Sequence, residues 1–394
     1  MRSEKLIEAT LLLLATGMPG LSKIIILLTL EKSLDINVLG NFSNSFYAIQ
    51  FLLVFTALGF AGRILAAVPI IKNIEKQKYL VKTINSFILL SITITPLILI
   101  LYLLGSLSNL TSTFILMVFM GIQMIIRHYF MALKDYRSIF IIDSFLIIIY
   151  LVLFYYLNDI YISISLAYLC PALLLSLRLF KKYEFKLLDA DNVKESFNIS
   201  INNFFSGGVY LLVIPVASFS IGVMYGAFFA LIHAIINSLF LISNALGIYF
   251  IPSLSKANDN RVRFNKILKY FSLVNTIVLI FFAIACFILY LILSELLLVE
   301  IFLLEDAFYL YMLFYFALMS SKTTLPIASA FISKGLSHKM IKINICLSLS
   351  YLFVLIISYY VLPGMLAMFI FLSSIILGNF LKLFVIGYMY NSIR

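Results

Sequence analysis

Tryptophan is absent from these 394 residues, cysteine occurs three times, and 17 acids stand against 28 lysines and arginines. Without Trp, aromatic anchoring at a membrane surface falls to the 24 tyrosines, several of them near span ends, such as Tyr155, Tyr156, Tyr359 and Tyr360. Cys170, Cys286 and Cys346 lie far apart inside apolar runs, a spacing that suits no metal site and reads as small packing residues. No GxxxxGK[ST] loop is present, which excludes ATP hydrolysis by this chain, and neither HExxH nor GxSxG occurs. No aqueous connection is long enough to hold a glycosyl-transfer site. The chain is therefore not expected to be an enzyme, and no metal is expected.

What is present is apolar surface. The chain is 63% hydrophobic and 11% charged, with a mean hydropathy of +1.12. Runs of about 20 apolar residues, the length that crosses a bilayer, recur along it. About twelve are predicted, near 6–30, 42–70, 83–105, 113–133, 138–157, 162–180, 196–219, 221–250, 267–293, 307–333, 343–362 and 364–390. The first is too long for a signal-peptide core and reads as a retained helix. Fold class is thus an all-α polytopic membrane protein.

Charge sets the orientation, because Lys and Arg near short connections stay on the cytoplasmic side. With both termini cytoplasmic, 23 of the 28 basic residues fall inside and only Lys32 outside, while Glu31, Asp35, Asp159, Glu295, Glu300, Glu305 and Asp306 fall outside. The net charge of +11 is mostly this topology signal and need not imply nucleic acid. The mixed-charge stretch 181–195 near the midpoint reads as a cytoplasmic linker between two six-span halves, 1–180 and 196–394. The halves share a pattern: span 2 opens at Leu39-Gly40 and closes at Pro69, span 8 opens at Ile221-Gly222 and closes at Pro252, and each follows a span holding a proline, Pro19 or Pro215. Pro19, Pro215 and Pro326 are the expected bends, since proline frees a carbonyl one turn back.

Four basic residues, Lys23, Arg63, Lys322 and Lys382, remain inside the apolar runs with almost no acid to pair with. A charge there costs about 2.5 to 3.5 kcal/mol on insertion scales, so it marks a polar interior. Lys322 shares one helical face with Tyr311, Tyr315, Pro326 and Ser329, and is hard to snorkel out. His233, Asn237 and Asn244 form a second stripe, which either lines a cavity or bonds helix to helix. Arg63 and Lys23 are open to snorkelling or cavity lining; Lys382 reads as a structural charge. Lys23, Arg63, His233, Asn237 and Lys322 are the candidate cavity residues. The polar start of span 7, Asn198, Ser200, Asn202, Asn203 and Ser206, suits a gate or a capped helix start. Gln123 and Arg127 lie across a short loop from Asp143, where an Arg127–Asp143 ion pair is geometrically feasible and structural in character.

Taken together, the two six-span halves, Leu39-Gly40 with Phe46-Tyr47 and Leu58-Gly59 in span 2, the Arg178–Phe185 linker, and Ser196-Phe197 through Pro215 resemble the polysaccharide transport (Wzx-type O-antigen flippase) family. That family belongs to the multidrug/oligosaccharidyl-lipid/polysaccharide exporter superfamily. The resemblance implies a V-shaped pair of bundles rocking in alternating access, and a bacterial inner-membrane flippase for undecaprenyl-diphosphate-linked glycan in lipopolysaccharide biosynthesis. It also implies a polymerase and a chain-length regulator as partners. No cofactor is expected, and coupling to H+ or Na+ stays open. The basic interior agrees with an anionic diphosphate cargo. A membrane-embedded polysaccharide polymerase and a small-molecule or drug exporter are the alternatives.

Overall fold

The computed structural model describes residues 2–69, 71–103, 107, 109–157, 159–176, 185–257, 260–296, 306–334, 337–362 and 364–392. These form α1 (Arg2–Ser33), α2 (Ile36–Phe55), α3 (Ala57–Ala67), α4 (Asn73–Thr93), α5 (Thr95–Leu103), α6 (Leu110–Ala132), α7 (Tyr136–Leu157) and α8 (Ile160–Ser176). There follow α9 (Ala190–Gly207), a 3-10 turn (Gly208–Leu212), α10 (Val213–Ser220), α11 (Val223–Lys256), α12 (Arg261–Leu291) and a π turn (Ile292–Leu296). The chain continues through α13 (Ala307–Thr323), α14 (Leu325–Ser333), α15 (Ser337–Val361) and α16 (Gly364–Ser392), with no strand among the described residues.

Among the described residues, each predicted run falls on one helix or on a helix broken in two; residues 70, 104–105 and 177–180 of those runs lie outside them. By length and apolarity, seven helices qualify as membrane spans among the described residues, nine when the bent pairs α4–α5 and α9–α10 are each taken as one. The side chains are arranged as lipid requires. On α12 the exposed face is Leu273, Ile277, Ile280, Phe281 and Ile284, at helical spacing, whereas Asn275 on the same helix is buried. Helix starts follow from short polar residues that accept the otherwise orphaned first amides. Asp35 takes the Asn37 N–H at 2.7 Å, Asn109 that of Ser112 at 3.0 Å, Asp159 that of Ile162 at 2.9 Å and Asn260 that of Arg263 at 3.0 Å. The tight α10–α11 turn has Gly222 at φ 120°, a conformation that only glycine adopts without strain.

The prolines act as their chemistry dictates, with different outcomes. α1 runs unbroken through Pro19. Ahead of Pro215 the helix gives way to the 3-10 turn, and ahead of Pro326 it breaks at Thr324 between α13 and α14. A proline four residues on leaves a carbonyl without its helical N–H. Two of these carbonyls are taken up by side chains from other helices: that of Ala15, ahead of Pro19, accepts from the Arg127 guanidinium, and that of Lys322, ahead of Pro326, accepts from Asn275 Nδ2 at 3.1 Å.

Two compact units divide after Pro215: Met1–Pro215 and Val216–Arg394. The boundary therefore lies beyond the expected 181–195 linker, of which 181–184 fall outside the described residues, and α9 packs with the first unit. The reason is local. A Cβ on Gly59 would collide with the Ser196 carbonyl and the Ser200 hydroxyl, and one on Gly62 would sit 2.9 Å from Ile199 Cγ2, so two glycines on α3 let α9 lie against it. In the second unit, α15 packs on α16, α16 on α13, and α11 on α12 and α14. Its aromatic core includes Phe250 stacked on Phe271 at 4.5 Å.

Candidate functional site

In the first unit Lys23, on α1, donates from Nζ to Gln50 Oε1 on α2 at 2.5 Å. Gln50 is buried, and its Nε2 has no partner. Two turns back on the same face of α2, the Ser43 hydroxyl is also buried and unpartnered. A half-buried ammonium held by a neutral amide has no counter-charge in this contact and two further N–H donors in hand, an arrangement suited to an anion.

One helix away the charge balance is different. Arg127 Nε (α6) lies 3.0 Å from Asp143 Oδ2 (α7), and Gln123 Nε2 donates to Asp143 Oδ1 at 3.1 Å. With the Ala15 carbonyl as a third partner, this node ties α1, α6 and α7 together. Asp143 is the one carboxylate among the described buried residues, and it is already neutralised. The ion pair expected from the Gln123–Arg127 spacing is present.

Arg63 is tied to the start of α9: Nη1 lies 2.7 Å from Glu195 Oε2, and Nε donates to Asn192 Oδ1 at 2.8 Å. Tyr79 donates to the same Asn192 oxygen at 3.3 Å. Nearby, the Leu188 amide donates to Ser86 Oγ at 2.9 Å and Asn85 Nδ2 to the Lys186 carbonyl at 3.0 Å, so α3, α4 and the approach to α9 form a latch. Helix α9 begins at Ala190, so Asn198 to Ser206 lie within it and do not cap it; the cap is Asp189, which accepts the Asn192 N–H at 3.1 Å. Hydrogen bonds from the Asn192 side chain and amide hold the Asp189 carboxyl below its usual pKa. Arg63 and Glu195 are partly solvated, with side chains 27% and 54% exposed, so this pair is worth no more than about 1 kcal/mol. Arg63→Glu should lower the thermal midpoint only slightly, and Glu195→Arg added to it should bring it back toward wild type, as read by unfolding midpoints of the single and double variants in detergent.

In the second unit, Asn237 Nδ2 lies 2.8 Å from His233 Nε2, one turn away on α11, and the buried imidazole faces Phe314 of α13 at 6.2 Å. The side chain of Asn244 is outside the described residues. Tyr311 and Tyr315 are buried and donate to the Cys286 and Leu279 carbonyls of α12 at 2.8 and 3.0 Å, so that part of the Lys322 stripe is helix packing. Lys322 lies in the last turn of α13, just ahead of the break, and Lys382 lies on α16, which packs against α13. Near them in sequence, Asn379 Nδ2 donates to Ser320 Oγ at 3.0 Å, and Asn275 makes the contact described above, with Asn275 Oδ1 buried and unpartnered. Within each unit, then, expected residues gain defined partners: Lys23 and Arg63 in separate places of the first, His233 and Asn237 together in the second, Lys322 beside Asn275. Gln50, Asn192, Glu195 and Asn275 were not expected; a lone amide inside an apolar run is the signal that marks Gln50 and Asn275.

No family profile matches the chain, and no curated protein sequence does. Solved structures match over nearly all of it. The lipid II flippase MurJ, in an inward closed conformation, aligns with a TM-score of 0.70 at 12% identity, covering 98% of this chain and 87% of its own. An inward-facing MATE multidrug resistance transporter of the MOP superfamily aligns at 0.67 and 14% identity, covering 96% and 94%. A MOP superfamily transporter from Pyrococcus furiosus, described by the reverse polarity of its binding pocket, aligns at 0.55 and 13%, covering 98% and 97%. The fold of this chain is the polytopic helical fold of the MATE and MurJ transporters.

Proposed function

We propose that the chain is a non-enzymatic flippase of the polysaccharide transport type, which moves a lipid-linked, diphosphate-bearing oligosaccharide across a bacterial inner membrane by alternating access. The observation that carries this reading is the sign of the charge held within the apolar helices. Lys23 is held by a neutral amide, Lys322 and Lys382 lie within the apolar helices α13 and α16, and the one buried carboxylate described, Asp143, is neutralised by Arg127. A cationic cargo would need free acids in these positions; a diphosphate needs fixed donors. The likeness to MurJ, a lipid II flippase by its description, supports a lipid-linked cargo, and the likeness to MATE proteins keeps a multidrug exporter as the second reading. Lys23, Arg63, His233, Asn237 and Lys322 are the proposed cavity residues, with a polymerase and a chain-length regulator as proposed partners.

The test is complementation of surface polysaccharide export in a deletion strain. Lys23→Gln and Lys322→Gln, expressed at normal levels, should each reduce export about tenfold or more, the loss of a charge-assisted bond of about 1.5 to 3 kcal/mol. Full export by both variants would end the basic-interior reading. Sensitivity of the deletion strain to cationic dyes, with surface sugars intact, would favour the exporter.

A further inference from the structure

A cavity of about 430 Å³ lies within the first unit, where α3, α4 and α9 meet. Its walls are apolar: Phe55 and Phe60 from the α2–α3 junction, Leu90 from α4, Val193 and Phe197 from α9. Phe197 is 52% exposed, so the cavity opens outward past it. A single cation, Lys194, stands at the wall, exposed and in no described ion pair or hydrogen bond. Of the nearby acids, Glu195 binds Arg63 and Asp189 binds Asn192, while Asp191 stands exposed in the first turn of α9. The site also lies at the lysine-rich end of these helices, with Lys72, Lys76, Lys78, Lys82 and Lys186 nearby in sequence, the end that the distribution of basic residues places at the cytoplasmic leaflet.

From these features we infer that this cavity is a lipid site, holding one acyl chain of an anionic phospholipid from that leaflet with the headgroup phosphate on Lys194. The volume falls within the range of ligand pockets and has room for one hydrocarbon chain, but not for a long polyprenyl tail. Each methylene moved out of water is worth about 0.8 kcal/mol, but a chain arriving from the bilayer gains little of that, so preference between lipids rests on the headgroup charge. The cavity borders the Arg63–Asn192–Glu195 latch, and its occupant packs against the same turn of α9 that the latch holds. A lipid resident in this cavity is distinct from the cargo.

The absence of tryptophan makes the test direct. In the full chain, Phe197→Trp creates a single indole at the cavity mouth, and Phe281→Trp, on the exposed face of α12, gives a control. Each protein is reconstituted in vesicles containing phosphatidylglycerol or phosphatidylcholine with brominated acyl chains. At position 197, half-quenching should need about fivefold less brominated phosphatidylglycerol than phosphatidylcholine, the preference expected from one lysine near an anionic lipid. Lys194→Gln should abolish that preference, and position 281 should show none. Equal quenching by the two lipids at 197, or a preference that survives Lys194→Gln, would overturn the site. If phosphatidylglycerol were preferred equally at 197 and 281, the effect would be general enrichment around the protein, and the site would likewise be refuted.

Discussion

Arg127→Leu is expected to destabilise the protein by about 3 to 5 kcal/mol, the usual cost of leaving one partner of a buried ion pair behind. The side chains of Arg127 and Asp143 are 12% and 2% exposed, so water cannot take over the missing partner. The substitution also strips the Ala15 carbonyl, which Pro19 has already deprived of its helical N–H, and so loosens α1 from α6 as well as α6 from α7. Asp143→Leu added to Arg127→Leu should recover much of the loss, because two apolar side chains remove both charges at once. The comparison is a thermal-unfolding midpoint in detergent for wild type, single and double variants. A single variant within about 1 kcal/mol of wild type would mean that the pair is solvated and holds nothing together.

Gly59→Val should open the seam between α3 and α9. The added Cβ meets a backbone oxygen, that of Ser196, with the carbonyl carbon at 2.9 Å and the Ser200 hydroxyl alongside, and a backbone atom cannot rotate away. Overpacking of this kind costs about 1 to 3 kcal/mol, enough to shift a closed seam toward open roughly tenfold or more. Gly62→Ala should do less, because its neighbour is the flexible Ile199 side chain. The readout is labelling of Ser200→Cys by a membrane-impermeant thiol reagent, in a chain whose Cys170, Cys286 and Cys346 have been replaced. Ser200 is buried, so wild-type background should label slowly and Gly59→Val about tenfold faster. Equal rates would show that the two helices are not held by glycine contact.

The helices were legible because lipid imposes a simple rule: a run of about 20 apolar residues must satisfy its backbone within itself. The ion pair was legible for a related reason, since Arg127 and Asp143 flank one short loop and have few other partners. Long-range pairing was not. Lys23 and Gln50 are 27 residues apart, and Arg63 and Asn192 are 129 apart. No local periodicity brings such residues together; packing does. The start of α9 was misplaced because Asp189 to Glu195 read as a charged linker, although they form the helix cap and its first turns, engaged with α3. On sequence the Tyr311–Tyr315 face of α13 is shared with Lys322, but buried hydroxyls find carbonyls on the next helix as readily as they find cargo.

The proposed function, a positive interior that serves an anionic, lipid-linked cargo, is tested most directly by a flipping assay in proteoliposomes. A fluorescent lipid-diphosphate oligosaccharide, scored by its accessibility on the far leaflet, should be moved by wild type and by Lys322→Arg, while Lys322→Gln should be slower by about tenfold or more. Lys322→Gln flipping this cargo at the wild-type rate would contradict the claim.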